Sequence, residues 1–330
     1  MAKNNNLVFL SYGNESEYRK ALFSMISFRS WCNSCIPNIR IILYTDNPEF
    51  FKPYFTDLHI QYFLLTNRSL DEMRAGTGYL HRVKVGVVDL TFQQYPDDNL
   101  LFVDSDTFFI CDPISLFDRI DKEKSLMHKQ EYALKDAPQI FGVFNQAHYP
   151  NAFLNYIADK IFDIGDSKES FSGHDYSWNS GVLGLHKDLS KYIPYIYKLT
   201  DNFYSHSKWF ISEQLAFALV LQRKTEVQAV DNFIVHYWGK RQKVLLDNLL
   251  INLFTSSETN TFNDDFIKSL TLKWSKKVAN DLILEQAVIA LSGNLSLYGL
   301  KNGLLAMFRN PFDSEMYKEL FRSLKTSPSQ

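Results

Sequence analysis

The residues best suited to chemistry are two aspartates, Asp104 and Asp106, which flank Ser105 directly after the apolar run Leu100-Leu101-Phe102-Val103. That run, bounded before it by Pro96-Asp97-Asp98-Asn99, reads as a buried strand. Two carboxylates spaced this way at a strand end can converge on one hard cation. Magnesium or manganese favours such oxygen ligands and commonly completes its shell with substrate phosphates. A cation held there would offset the negative charge that builds on a departing nucleoside diphosphate. The same spacing also makes an ordinary Asx turn. The tripeptide does not decide its own chemistry; the elements that position it do.

Those elements alternate strand and helix patterns. Leu7 to Leu10 is an apolar strand closed by Ser11-Tyr12-Gly13-Asn14, and Tyr18 to Trp31 carries Ala21, Leu22, Met25, Ile26 and Phe28 at helical spacing. Ile39 to Tyr44 and Ile60 to Leu65 are further strands, and Tyr79 to Tyr95 reads as a helix before the acidic strand. Strands that are apolar throughout and separated by helices predict an α/β fold with a mostly parallel sheet covered on both faces. Ligands of such sheets bind beyond the carboxyl ends of the strands, the edge where Ser11, Thr45-Asp46, Thr66 and Asp104 all fall.

Beyond residue 110 the order is looser. Asn179 to Leu185 reads as a strand, Trp209 to Leu221 as a helix, and Val227 to Val235 as a strand ending at His236. From about 243 onward the pattern is helical, with breaks at Ser292-Gly293-Asn294 and Asn310-Pro311. This divides the chain into a domain over 1–243 and a helical C-terminal extension over 244–330 packed on it. Phe266, Leu270, Trp274 and Val278 recur every fourth residue, with Lys268, Lys273, Lys276 and Lys277 among them. A basic amphipathic stripe of this kind suits peripheral contact with an anionic membrane surface, or a helix packed on its own domain.

Bulk properties exclude several classes. A net charge of -2 argues against nucleic acid as a partner. Three cysteines cannot build a disulfide framework, and Cys32 and Cys35, though spaced as C-x-x-C, lack companion zinc ligands. No run approaches the roughly 18 apolar residues of a membrane span, and the N-terminus lacks a signal peptide's apolar region. The expectation is a cytoplasmic protein.

Five stretches occur together in order: His81-Arg82-Val83-Lys84-Val85-Gly86, Leu100 to Thr107, Trp178-Asn179-Ser180-Gly181-Val182, Glu213-Gln214 and His236-Tyr237-Trp238-Gly239. Over about residues 5 to 243 this order resembles the GT-A fold glycosyltransferases of the glycogenin and lipopolysaccharide galactosyltransferase type. The resemblance implies a Rossmann-like GT-A domain and retaining transfer of a hexosyl group from a UDP-linked sugar to a glycan or lipid-linked acceptor. It implies that Asp104, Asp106 and His236 bind manganese (or magnesium). Arg82, Ser105 and Asn179 would contact the donor, with Lys84, two positions from Arg82 and on another helix face, a solvated surface charge. Glu213, Gln214 and Asn179 would serve the reacting sugar, with Glu213 where the family has aspartate. Gly181 would let backbone approach the substrate closely. Ser11 and Tyr12 would receive the base. Gly239 fits a loop closing over phosphates. Gln242 stands where the family has a phosphate-binding lysine, leaving Lys240, Arg241 or Lys243 for that contact, with Lys240 the first in order.

Two other classes share parts of this pattern. A haloacid dehalogenase-type phosphatase also places two aspartates after an apolar strand, but would have threonine or valine at Phe108 and would open its core domain with that strand. A non-catalytic sugar-nucleotide-binding relative would keep the fold without turnover.

Overall fold

The computed structural model describes residues 5–32, 39–56, 58–256, 262–292, 296–309, 311 and 314–325. The first half follows the alternating pattern: β1 (Asn5–Ser11), α1 (Glu15–Trp31), β2 (Ile39–Thr45), β3 (Ile60–Leu64), α2 (Asn67–Arg74), α3 (Arg82–Gln94) and β4 (Asn99–Val103). A short β5 (Thr107–Phe109) and α4 (Ile114–Asp118) lead to β6 (Lys124–Met127), β7 (Gln130–Ala133), α5 (Ala137–Gly142) and α6 (His148–Ile157). Next come β8 (Ile161–Ile164), β9 (Ser167–Ser170), β10 (Tyr176–Trp178), β11 (Val182–Leu185), α7 (Ile193–Ser207) and α8 (Ser212–Lys224). The last strands are β12 (Glu226–Ala229) and β13 (Ile234–His236), followed by α9 (Lys240–Ser256), α10 (Asp264–Ser292), α11 (Ser296–Arg309) and α12 (Ser314–Lys325).

Seven strands form the central sheet in the order β12-β6-β11-β4-β1-β2-β3. Every pairing is parallel except those of β11, which runs antiparallel to both β4 and β6. The α/β reading with a mostly parallel sheet therefore holds. The alternation of side chains along β1 explains the layering. Leu7 and Phe9 point into a core built with α1, α9 and α10, whereas Val8 joins a second core with α3, α7 and α8. The runs Leu7–Leu10 of β1 and Leu100–Val103 of β4 are thus apolar without interruption because both faces of these strands are covered.

The C-terminal helices share the first core. Trp274 on α10 lies 4.7 Å from Phe23 on α1, ring to ring, and Trp31 donates to the Thr271 hydroxyl over 3.1 Å. Trp274 and Val278 are buried and Phe266 is half exposed. The stripe read as a possible membrane face is, in its second half, the surface by which α10 packs on α1. α9 starts at Lys240, so the expected border at 243/244 falls inside that helix. Among the described residues, no helix is long and apolar enough to cross a membrane.

One element differs from its sequence reading in kind. The strand expected over 227–235 is two strands: β12 joins the edge of the main sheet, while β13 pairs with β5 outside it. A turn closed by Phe233 N–H donating to Val230 O over 2.9 Å separates them. An unbroken strand would have carried His236 along the sheet edge; the break brings it to the acidic tripeptide. Cys32 is buried at the end of α1, and Cys35 lies outside the described residues, as do Gly293, Asn294 and Asn310 of the expected breaks.

Candidate active site

Backbone pairing delivers the metal-type ligands. Beyond β4, the Asp104 N–H donates to Gly181 O over 2.9 Å, continuing the ladder with β11. In the β5–β13 ribbon, Thr107 stands opposite His236, and Tyr237 N–H donates to Asp106 O over 3.0 Å. Two ladders far apart in sequence therefore fix the two aspartates and the histidine against one another. One donor atom from each of Asp104, Asp106 and His236 lies within 4.8 Å of the other two. This spacing, with two carboxylates and an imidazole, fits a divalent cation such as manganese or magnesium.

The proton on His236 can be located by its neighbours. Asn179 accepts from Gly181 N–H at 3.0 Å through Oδ1 and donates from Nδ2 to Glu131 Oε1 at 3.3 Å, which orients its amide. His236 Nδ1, 2.7 Å from the same Oδ1, must then be the donor. The other ring nitrogen, Nε2, faces Asp106 Oδ1 at 3.1 Å and Asp104 Oδ2 at 4.0 Å. A neutral imidazole would place a lone pair against carboxylate oxygens, an arrangement that calls for a proton or a cation between them. Orientation by a hydrogen bond at the far nitrogen is the usual support for a ligating histidine.

The ring is held on its other sides as well. His128, buried and with Nε2 donating to Ile234 O over 3.0 Å, meets it edge to face at 5.4 Å, and Trp238 lies 5.2 Å away. Burial keeps His128 neutral by pushing its pKa well below the ordinary value. Gly181 sits directly against the imidazole: a β-carbon there would overlap the ring, reaching within 2.7 Å of Cγ. The glycine thus makes room for the imidazole.

Each aspartate also has an ammonium of its own. Lys84 Nζ donates to Asp104 Oδ2 over 2.8 Å, and Lys243 Nζ to Asp106 Oδ2 over 2.8 Å. Burial raises the Asp106 carboxyl, but His236 and Lys243 outweigh it and hold the group well below the usual carboxylate range.

Lys84 corrects the sequence reading of its helix. It is buried, not a solvated surface charge, and reaches Ser180 O at 3.2 Å and Glu213 Oε1 at 3.4 Å in addition to Asp104. Burial lowers its pKa, and Asp104 and Glu213 more than restore it. Arg82, expected at the donor, instead faces α7, where it pairs with Asp201 at 2.6 Å, donates to Met73 O and lies over the Tyr197 ring. Positions two apart on a helix do face differently; the face turned to the sheet edge is that of Lys84.

Glu213 and Gln214 open α8 beside this lysine. Glu213 accepts from Tyr79 OH at 2.7 Å and Ser180 Oγ at 3.1 Å. Burial raises its pKa, yet Lys84 brings the balance below the ordinary value, so the carboxylate is an engaged anion. Gln214 donates to Ser177 Oγ and to Glu131 Oε2, each at 3.0 Å. Glu131, on β7, thus gathers the side chains of Ser177, Asn179 and Gln214, all neutral donors. The sequence reading did not select it. The sequence offers no signal for it, since the strand before it, Lys124-Ser125-Leu126-Met127, has only two apolar residues.

A cavity of about 800 Å³ opens over these groups, lined by Lys84, Asp104, Asp106, Glu131, Asn179, Glu213, Gln214, His236 and Lys243. Of the remaining expected residues, Ser105 donates to Glu17 Oε2 over 2.8 Å and Ser11 is buried with its hydroxyl unpartnered. Tyr12 packs on the second core, and neither it nor Ser11 lines the cavity. Gly239 nests against Gln242, where a side chain would collide. Lys240 is exposed and does not line the cavity, whereas Arg241 is taken by Asp281 and Glu319. Among these basic residues, Lys243 is the one at the cavity.

No family model and no curated protein sequence matches the chain. In structure it is similar to mouse xyloside xylosyltransferase 1 in its apo form, at 12% identity over 69% of this chain and 85% of that one, with a TM-score of 0.45. It is also similar to the galactosyltransferase LgtC in complex with donor and acceptor sugar analogues, at 12% identity over 79% of this chain and 98% of that one, with a TM-score of 0.46.

Proposed function

We propose that this chain is a metal-dependent glycosyltransferase that moves a hexosyl group from a UDP-linked sugar to a hydroxyl of a glycan or lipid-linked glycan, with retention of anomeric configuration. The observation that carries the reading is the His236 imidazole, turned by Asn179 so that its Nε2 meets the carboxylates of Asp104 and Asp106. Asp104, Asp106 and His236 would hold manganese or magnesium, which would supply positive charge against the diphosphate. Lys243, on the same carboxylate cluster, is the side chain suited to the β-phosphate. Ser11 and Tyr12, at the end of β1, are the residues proposed for the base.

On the sugar side, Asn179 and Gln214 present amides whose orientations are set by Glu131, and Glu213 anchors Lys84. In the transfer, the bond from anomeric carbon to β-phosphate oxygen breaks and its electron pair leaves with the diphosphate. The acceptor oxygen forms the new bond to that carbon, and its proton passes to the departing phosphate oxygen. Prearranged amides and ammonium groups lower the cost of the charge separation because they need not reorient.

Calorimetry of UDP-glucose and UDP-galactose binding, with and without manganese, tests the proposal. Binding is expected only with the metal, and Asp106→Ala should abolish it. Equal affinity in the presence and absence of metal would overturn the reading. A thermal-shift panel of nucleotide-sugars then ranks donors, since a ligand of the native state raises the melting temperature.

A further inference from the structure

The floor of the cavity is polar, whereas its cover is largely apolar. The floor comes from the sheet edge and the first turn of α8. The cover comes from two other elements: the stretch through α5, with Ile140, Phe141 and Phe144, and one face of α10, where Leu282 and Ile289 flank Glu285 and Gln286. Phe210, just before α8, completes it. Phe141 is fixed from behind by Trp209, whose ring lies 5.1 Å away and edge on. Three of these side chains stay substantially in water: Ile140 is 40% exposed, Phe144 50% and Phe210 49%.

An acceptor hydroxyl can reach the anomeric carbon only by entering this same cavity. Whatever is attached to that hydroxyl then lies against the cover. Against its apolar side chains sugar hydroxyls would lose hydrogen bonds to water without replacement, which is unfavourable, and Glu285, which lies among them, is already engaged by Gln242. Aromatic rings alone would suit stacking on a sugar face, but Ile140, Leu282 and Ile289 have no such face to offer. Their common property is to take apolar surface out of water. Resting on the glycosyltransferase reading, we infer that the cover formed by α5 and α10 is the acceptor subsite, and that it takes an acceptor whose sugar carries an alkyl chain close to the accepting hydroxyl. The C-terminal helix α10 is in this view a wall of the site as well as a support for α1.

The probes are methyl and n-hexyl β-D-galactoside and the matching β-D-glucosides, titrated by calorimetry into protein saturated with manganese and UDP. Each methylene withdrawn from water contributes roughly a factor of four in affinity, so hexyl glycosides should bind at least about tenfold tighter than methyl ones. Saturation transfer in proton NMR should fall more strongly on the chain than on the sugar. Ile140→Ser combined with Phe144→Ser changes two half-exposed residues that the fold does not need, and should bring the hexyl-to-methyl ratio toward one. Equal binding of the two chain lengths overturns the inference in favour of a polar glycan acceptor. A ratio that survives in the double variant overturns it by placing the chain elsewhere, and no binding of either glycoside overturns it as well. Failure of manganese and UDP to bind in the first titration is a different result: it overturns the glycosyltransferase reading itself.

Discussion

The ammonium of Lys243 stands 2.8 Å from Oδ2 of Asp106, while His236 Nε2 stands 3.1 Å from Oδ1 of the same carboxylate. One oxygen faces an ammonium and the other faces the proposed third ligand. Lys243 arrives on the first turn of α9, a helix tied down by Gln242 donating to Asp281 and Glu285 on α10. The packing of α9 on α10 therefore reaches the carboxylate cluster through Lys243.

A cation at Asp106 competes with Lys243 for the carboxylate, and a bound diphosphate would give the ammonium a new partner. Lys243→Met should accordingly bind manganese more tightly in the absence of nucleotide and UDP-sugar more weakly in its presence. A hydrogen bond involving a charged group is worth on the order of 1.5–3 kcal/mol, so roughly tenfold is expected in each direction. Manganese titration by electron paramagnetic resonance, followed by calorimetry with UDP-galactose, reads both. A parallel loss of the two affinities would refute the handover.

The support of His236 gives a second prediction. Asn179→Ala removes the acceptor that holds Nδ1–H, and loss of such a supporting partner typically costs about 10–100-fold in metal affinity. Gly181→Ala should do at least as much by displacing the ring, which a β-carbon would overlap. Both variants should keep the fold, as followed by far-ultraviolet circular dichroism. Unchanged manganese affinity in either would remove His236 from the ligand set.

What could be read in advance follows physical range. β1 and β4 carry uninterrupted apolar runs, and β2 up to Tyr44 and β3 are apolar but for Arg40 and Gln61, all bounded by turn residues, so local pattern is enough to find them. β5 and β13 are three residues each and exist because they pair with one another, a contact that no local window contains. The Arg82 and Lys84 pair shows the same limit at the site. Helical spacing says that they face differently, but the choice is made by Asp201 on α7 and by Asp104 and Glu213 at the sheet edge. The ordered motifs located Asp104, Asp106, Asn179, Glu213 and His236 around one cavity. Glu131 has no motif, and its place emerges only when β7 pairs with β10.

Away from the site, Glu169 offers a pH test of the fold. Its carboxylate accepts from Lys224 at 2.7 Å and Ser167 at 2.6 Å, and these bonds to the charged form lower its pKa below the ordinary 4.5. A depressed carboxylate contributes stability that is fully present above the unfolded-state value and lost as pH falls through the folded-state value. Glu169→Gln should therefore be less stable at neutral pH by about 1 kcal/mol. The gap should close as acid protonates the wild-type carboxylate. Urea unfolding at a series of pH values measures it, and a gap that is constant with pH would show that the ion pair contributes nothing.

Lys84 allows stability and binding to be separated from those of Arg82. Its ammonium is buried between the carboxylates of Asp104 and Glu213, and Glu213 is itself buried. Lys84→Met leaves Glu213 in the interior without its cation, a change expected to cost about 3–5 kcal/mol. Adding Glu213→Gln removes the stranded charge and should recover much of that loss, because the pair is then gone as a unit. Arg82→Met breaks an ion pair whose Asp201 partner is partly in water, so about 1 kcal/mol is expected and donor affinity should be nearly unchanged. Urea unfolding of the three variants, with UDP-galactose calorimetry on each that folds, distinguishes the roles. If Arg82→Met weakened donor binding while its stability stayed high, the arginine would have to leave Asp201 when donor binds, and the assignment of the inward-facing side chain to Lys84 alone would be wrong.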